Sequence, residues 1–299
     1  MASGEPRRLA RYLCNVARHD ASRGLTQGDL EYERILQDVS YRDFILLMTH
    51  DKLVALAEAL GFIALENPEQ GRWGKNLGLD ADALVTGISK SLGVDITPPN
   101  LDGGLLKMRT GHGYFNERDL NAVFTAHMVR GIAGNGQSIC EIGGGSGRVA
   151  YWSVRMSAAS YTLIDLPHAN VVQGYYLMKA LGSDRVRLYG EAEKPGQLVR
   201  IYPCQALGTL DASAFDIVVN QDSFPEMHRD TVADYLRWVR AGRRPRLVSI
   251  NQESQAMYQG RRQVSVPEVA AGVVGLERCQ RFPYWLRKGY VVEVYSPVS

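Results

Sequence analysis

The chain has 299 residues, 45% hydrophobic and 22% charged, and its 34 basic and 32 acidic side chains leave a formal net charge of +2. That length can bury a sizeable core. The composition is that of a globular protein, and the near-balance of charge lacks the basic excess that a nucleic-acid partner demands.

The N-terminal stretch Met1-Ala-Ser-Gly-Glu-Pro-Arg-Arg8 has no apolar core and does not read as a secretory signal. Four scattered cysteines, Cys14, Cys140, Cys204 and Cys279, have neither metal-ligand nor redox spacing. They read as reduced thiols, mostly buried, of a cytoplasmic protein. Residues 1 to about 40 read as helical and polar, with Leu9, Tyr12, Leu13 and Val16 on one face. They are candidates for a packing arm or a homodimer contact. The most apolar window runs from Phe44 to Leu65, but Thr49-His-Asp-Lys52 interrupts it. It falls short of the ~20 apolar residues of a membrane span and reads as a core helix, so no membrane insertion is expected.

Asp51–Leu60, followed by Gly61, and Asp80–Leu92, followed by Gly93, each carry Asp at the start and Gly just past the end, as helix capping prefers. The breaker cluster Pro98-Pro-Asn-Leu-Asp-Gly-Gly104 then marks a boundary. It divides a helical N-terminal region, 1–105, from a second domain, 106–299.

In that second domain Arg118–Ile132 reads as a helix with Leu120, Val123, Phe124 and Met128 along a face. A strand Ser138–Ile142 follows. The helix Arg148–Ala158 turns Val149, Trp152 and Met156 inward. Next come a strand Tyr161–Asp165 and a helix opened by Pro167, with Val171, Tyr175, Met178 and Leu181 inward. Arg185–Tyr189 and Val199–Tyr202 are both strand-like, and the second is favoured as the third parallel strand. Phe215–Asn220 and Arg246–Asn251 read as strands flanking the helix Thr231–Arg240, whose Val232, Tyr235, Leu236 and Val239 face inward. Leu276–Phe282 and Tyr290–Tyr295 read as a closing antiparallel pair. Alternating strands and helices of this length predict a doubly wound, Rossmann-like, mostly parallel α/β sheet.

The stretch Glu141-Ile-Gly-Gly-Gly-Ser-Gly147 sits between the first strand and its helix. Such a turn brings bare backbone N–H groups and a helix N-terminus against a ligand. A dinucleotide enzyme would show GxGxxG; here glycines alternate at Gly143, Gly145 and Gly147 after an upstream acid. Asp165, at the end of the second strand, can accept hydrogen bonds from ribose hydroxyls. This form resembles the first motif of class I S-adenosylmethionine-dependent methyltransferases. The resemblance implies that the turn wraps the methionine part of the cofactor, with Glu141 near its ammonium. By position alone, Gln205, after Val199–Tyr202, and Asn220 join the cofactor side. A nicotinamide-dependent oxidoreductase and a non-catalytic cofactor-binding scaffold are the alternatives.

A narrower resemblance covers roughly the last two thirds of the chain, from about Leu105. Glu141–Gly147, Tyr161-Thr-Leu-Ile-Asp-Leu-Pro167, Gln173-Gly-Tyr-Tyr-Leu177, Val219-Asn-Gln-Asp-Ser-Phe-Pro-Glu-Met-His228, Ser249-Ile-Asn-Gln-Glu253 and Phe282-Pro-Tyr-Trp-Leu-Arg-Lys-Gly-Tyr290 look like the sugar O-methyltransferases of bacteria. The resemblance implies a sugar or glycoside acceptor, such as a precursor of a methylmannose polysaccharide or a glycosylated natural product. A sugar hydroxyl is a weak acid, so a base should help remove its proton. His228, with an unperturbed pKa near neutrality, leads the candidates, with Glu226 and Glu253 beside it. Asp222 could instead cap a turn. Asp222, Glu226 and Glu253 are oxygen ligands of the kind Mg²⁺ prefers, but no local spacing demands a metal, and none is expected. His112 and Tyr114, in the glycine-flanked loop Thr110–Arg118, are candidates for an acceptor lid, and Trp285 for stacking on a sugar ring.

Overall fold

A computed structural model of the chain describes residues 6–15, 28–65, 79–101, 106–258 and 260–298. The chain divides into two compact units, residues 1–127 and 128–299. The sequence-based boundary at 105 lies among residues outside those described, as does Val16.

The first unit contains α1 (Pro6–Cys14), α2 (Gly28–Gln37), α3 (Val39–Ala59), α4 (Ala81–Leu92), the two-stranded hairpin β1 (Met108–Arg109) and β2 (Tyr114–Phe115), and the start of α5 (Glu117–Ala133). No described helix is long and apolar enough to cross a membrane. α4 is capped as expected: the Asp80 side chain accepts from Ala83 N, and Gly93 ends the helix at φ 68°. α3 differs from expectation. Its N-cap is Asp38, whose side chain accepts from Tyr41 N, and Asp51 lies mid-helix. The polar Thr49–Lys52 stretch does not break it. The Thr49 hydroxyl bonds back to Ile45 O, and the buried seam of Ile45, Thr49, Leu53 and Leu56 runs straight through at helical spacing. Phe44 and Leu47 point outward, so α3 is a one-sided helix and not a wholly buried one.

The second unit is an eight-stranded sheet. In chain order its elements are β3 (Ser138–Ile142), α6 (Arg148–Arg155), β4 (Ser160–Asp165), α7 (Pro167–Leu181), β5 (Val186–Leu188), β6 (Val199–Pro203), β7 (Ile217–Gln221), α8 (Arg229–Ala241), β8 (Arg246–Gln252), the short hairpin β9 (Met257–Tyr258) and β10 (Arg261–Arg262), α9 (Val266–Ala270), β11 (Leu276–Pro283) and β12 (Tyr290–Pro297). The sheet order is β11-β12-β8-β7-β3-β4-β6-β5. β8, β7, β3, β4, β6 and β5 pair in parallel, whereas β12 is antiparallel to β8 and β11 to β12. The doubly wound sheet with a closing antiparallel pair is the architecture expected. Val199–Pro203 sits beside β4, as favoured, and the other strand-like segment adds the outer edge.

One sheet face buries Cys140, Ile142, Ile164, Val218 and Leu247 against Val232, Tyr235, Leu236 and Val239 of α8 and Val266 and Val269 of α9. α6 and α7 pack against β4 and β6. Val149, Trp152 and Met156 of the α6 segment are buried as expected. In α7 the buried set is Ala169, Val172, Gln173, Gly174, Tyr176 and Leu177, which corrects the predicted stripe of Val171, Tyr175, Met178 and Leu181. α7 carries apolar side chains around most of its circumference, so periodicity alone could not choose the inner side.

Candidate active site

The order of the sheet reverses between β3 and β7, whose neighbours in sequence lie on opposite sides. Ligands of open parallel sheets bind at such a point, beyond the carboxyl ends of the strands. The glycine turn leaves β3 there. Gly143 N donates to Ile164 O at 2.8 Å, and Gly147 N to Gly144 O at 2.9 Å. Gly143, Gly145 and Gly147 have φ of 74°, 57° and 86°, a region that favours glycine. Three glycines of the turn are pressed against protein. A methyl group on Gly143 would lie 2.0 Å from Ser223 Oγ, one on Gly144 2.3 Å from Leu163 Cδ2, and one on Gly147 3.0 Å from Leu177 Cδ1. A methyl on Gly145 would meet nothing within 4 Å. The turn therefore has a packed underside and one open position.

Beneath it, Glu141 is 2% exposed and accepts a hydrogen bond of 2.9 Å from Tyr161 OH. Burial pushes its carboxyl up to about 8, the Tyr161 bond opposes the rise, and the charge of Asp165 adds to it. Asp165, at the end of β4, fastens the turn from the side. Its Oδ1 accepts from Leu166 N at 2.7 Å, and its Oδ2 from Gly145 N at 3.1 Å and Gln173 Nε2 at 2.8 Å. Burial raises the Asp165 carboxyl above its usual range, and these donors pull it part of the way back.

The end of β7 is stitched to the end of β3. Buried Asn220 donates from Nδ2 to Ile142 O at 3.0 Å and to Ser223 Oγ at 2.6 Å, and its Oδ1 accepts from Asn251 Nδ2 at 2.9 Å. Just beyond, Asp222 receives both arms of an interaction with Arg287 Nη1, at 2.9 and 2.7 Å. That ion pair replaces the turn-capping role considered for Asp222. Glu226 follows in a short helical turn. Although its surface is exposed, nearby protein partly desolvates its carboxyl and raises its pKa, and the charge of Asp222 raises it further.

The remaining candidates are dispersed. His228 is the N-cap of α8, with Nδ1 turned to Asp230 N at 3.4 Å and a side chain 62% exposed. Glu253 forms an ion pair with Arg281 of β11. Gln205 is exposed in the short helix after β6. Trp285 is exposed, while its neighbours Tyr284 and Leu286 are buried. In the first unit, His112 Nε2 lies 3.0 Å from Thr86 Oγ1, and Tyr114 is exposed on β2. Gly111 N donates to Asp82 Oδ1 at 2.7 Å, so that loop is fastened to α4. Among the described residues no group of three His, Cys, Asp or Glu side chains is placed to hold a metal, Asp222, Glu226 and Glu253 included.

No protein-family model matches the sequence, and a search of curated proteins gives no match. Solved structures do show likeness. The mitomycin 7-O-methyltransferase MmcR is 16% identical, over 60% of this chain and 53% of that one, with a TM-score of 0.46. The magnesium protoporphyrin IX methyltransferase ChlM from Synechocystis, with bound SAM, is 14% identical over 61% of this chain and 82% of that one, TM-score 0.45. The 1,6-didemethyltoxoflavin-N1-methyltransferase from Burkholderia thailandensis is 19% identical over 60% of this chain and 79% of that one, TM-score 0.42. The chain thus spans about half the length of MmcR.

Gln173, which the sequence places only within a family-like segment, has a role at the turn that sequence reading missed. It is fully buried, donates from Nε2 to Gly145 O at 3.1 Å as well as to Asp165, and accepts from Asn170 Nδ2 at 3.0 Å. The available signal was an amide inside an otherwise apolar helix turn, since a buried amide needs partners. Gln173→Leu is expected to leave the Gly145 carbonyl and Asp165 short of a donor. The expected cost is about 1–3 kcal/mol in urea unfolding, together with weaker binding of any ligand held by the turn. An unchanged midpoint would show that neither bond contributes.

Proposed function

We propose that the protein is an S-adenosylmethionine-dependent methyltransferase that methylates a hydroxyl oxygen of a sugar. The observation that carries the reading is the glycine turn at the sheet's reversal point, packed against protein at Gly143, Gly144 and Gly147 and open at Gly145. A cofactor with a ribose, an ammonium and a carboxylate fits that donor set. Asp165 keeps acceptor capacity for ribose hydroxyls, the buried Glu141 carboxyl can give up its proton to face the ammonium as a carboxylate, and the α6 N-terminus, which has no side-chain cap, favours the ligand carboxylate. The resemblance of the later segments to sugar O-methyltransferases supports the acceptor class.

When bound, the cofactor supplies an electrophilic methyl group on a sulfonium. The chain's own task is to hold the acceptor oxygen in line with that methyl and take the hydroxyl proton. Alignment contributes much of the rate. Glu226 is the base we favour, because its raised pKa makes it a stronger proton acceptor than an ordinary carboxylate. His228 comes second, since its Nδ1 serves α8, and Glu253 third, since Arg281 occupies it.

Calorimetry with S-adenosylhomocysteine tests the cofactor, and mass spectrometry of a sugar and glycoside panel with S-adenosylmethionine tests the acceptor. Asp165→Ala is expected to weaken cofactor binding by about 1–3 kcal/mol for each charge-assisted ribose bond lost. Failure of the wild type to bind at high micromolar concentration would refute the methyltransferase. Cofactor binding with methylation confined to non-sugar acceptors would refute the sugar.

A further inference from the structure

Two of the segments that carry the sugar-methyltransferase resemblance, Val219–His228 and Phe282–Tyr290, meet at one point. Asp222 has φ of 68° and is one of three described non-glycine residues with positive φ, beside Ser157 and Arg243. Asp tolerates that region better than most residues, but still at some strain. Arg287 grips it with one nitrogen to both carboxylate oxygens, at 2.9 and 2.7 Å. The Arg287 guanidinium lies 3.8 Å over the Tyr290 ring, and its Nη2 donates to Tyr290 OH at 2.7 Å.

The turn that carries Arg287 is itself closed. Tyr284 N donates to Tyr290 O at 2.9 Å, Arg287 N to Tyr284 O at 3.2 Å, and Tyr290 N to Arg287 O at 3.2 Å. Tyr284 and Leu286 anchor it in the interior. On the other side, Asp222 N donates to Ile250 O at 3.1 Å, and Ser223 presses on Gly143 with no space left for a methyl group. The chain then passes directly to Glu226, whose N donates to Ser223 O at 3.2 Å.

The Arg287 and Asp222 side chains are 31% and 43% exposed. An ion pair that accessible adds little stability. Its contribution is direction, because a planar guanidinium held at two points fixes the carboxylate it grips. It also offsets the Asp222 charge that Glu226 faces. We propose that Arg287 is a positioning residue: it clamps Asp222 in the left-handed conformation, and so holds the Asp222–Glu226 segment against the glycine turn and sets the electrostatic field at Glu226. This rests on the methyltransferase reading only in naming Glu226 the base.

The test is made on the full-length, ligand-free chain. Protein labelled with ¹³C-glutamate is titrated by NMR, with Glu226 assigned from E226Q, and hydrogen exchange is followed at the Asp222 amide. The charged group facing Glu226 is Asp222, with Arg287 paired to it, and the neutral Tyr290 phenol is the other titratable group nearby. Arg287→Ala leaves Asp222 unopposed and is expected to move the Glu226 midpoint up. Asp222→Asn removes that charge and moves it down. Arg287→Lys keeps the charge but loses the planar grip, so exchange at Asp222 speeds up while the Glu226 midpoint stays near the wild-type value. A purely structural role would not produce shifts of opposite sign. An unmoved Glu226 midpoint in Arg287→Ala, or Asp222 protection unchanged in Arg287→Lys, overturns the clamp. Calorimetry with S-adenosylhomocysteine on the same samples separates the two readings. No binding by wild type alongside the opposite shifts overturns the cofactor and leaves the clamp standing. Normal binding with an unmoved Glu226 overturns the clamp alone.

Discussion

Raising the pH from about 6 to about 9 is expected to destabilise the ligand-free protein and, on the proposed function, to tighten binding of S-adenosylmethionine over the same range. Both effects arise at Glu141. Its carboxyl is fully buried beside Tyr161 and Asp165 and is pushed by burial from the ordinary 4.5 to about 8. Below 4.5 the folded and unfolded chains both carry the proton. Between 4.5 and about 8 the unfolded chain releases it while the folded chain keeps it, so stability falls as pH rises, and above 8 the loss is complete. At 1.36 kcal/mol per unit the whole loss is on the order of 5 kcal/mol, of which roughly 3 kcal/mol falls above pH 6.

A cation above the turn reverses that preference. A ligand ammonium stabilises the carboxylate, so binding draws the proton off and affinity climbs by up to about tenfold per pH unit until about pH 8. Urea unfolding and calorimetry across this range read both slopes. Asp165 and Glu226 are also raised and contribute slopes of the same sign, so the decisive comparison is with Glu141→Gln. That variant should lose most of the stability slope and all of the affinity slope. Equal slopes in wild type and variant would remove Glu141 from both roles.

The sheet was legible because its signals are local. Strands such as Ser138–Ile142 are short apolar runs bounded by glycine, and α8 shows a clean four-residue apolar stripe, each member of which is buried. The glycine turn was legible for the same reason. Asp165 was legible as a site residue too, but the contacts made by Gln173 and Arg287 were not, because their partners are distant in sequence. Gln173 reaches Gly145 across 28 positions, and Arg287 reaches Asp222 across 65. Taken singly, Asp222 looks like a turn cap and Gln173 like a polar blemish on a helix. α3 shows the converse error. Asp51 and Gly61 bracket a plausible helix, yet Asp38 is also a good cap, and the buried seam between them outweighs the polar interruption.

That difference between packed and open positions gives the other large effect, which concerns the turn itself. Gly145→Ala is expected to abolish most cofactor binding while leaving the fold nearly intact, and Gly143→Ala to damage the fold. Both positions have positive φ, so either substitution carries strain of roughly 1–2 kcal/mol. They differ in what lies above them. At Gly143 the new methyl would sit 2.0 Å from Ser223 Oγ, so the stitched ends of β3 and β7 must separate, and Asn220 loses its partners there. At Gly145 the methyl enters open space. The backbone remains tied, through Gly145 N to Asp165 and Gly145 O to Gln173, so it cannot swing aside. The methyl therefore stands where a ligand must approach the bare backbone. Overpacking a close contact by one methyl costs about 1–3 kcal/mol, or roughly 10–100-fold in affinity. Calorimetry with S-adenosylhomocysteine and thermal unfolding separate the two variants. A Gly145→Ala protein that binds with wild-type affinity would mean that the ligand does not lie over this turn, and the proposed site would have to be abandoned even if the protein methylates.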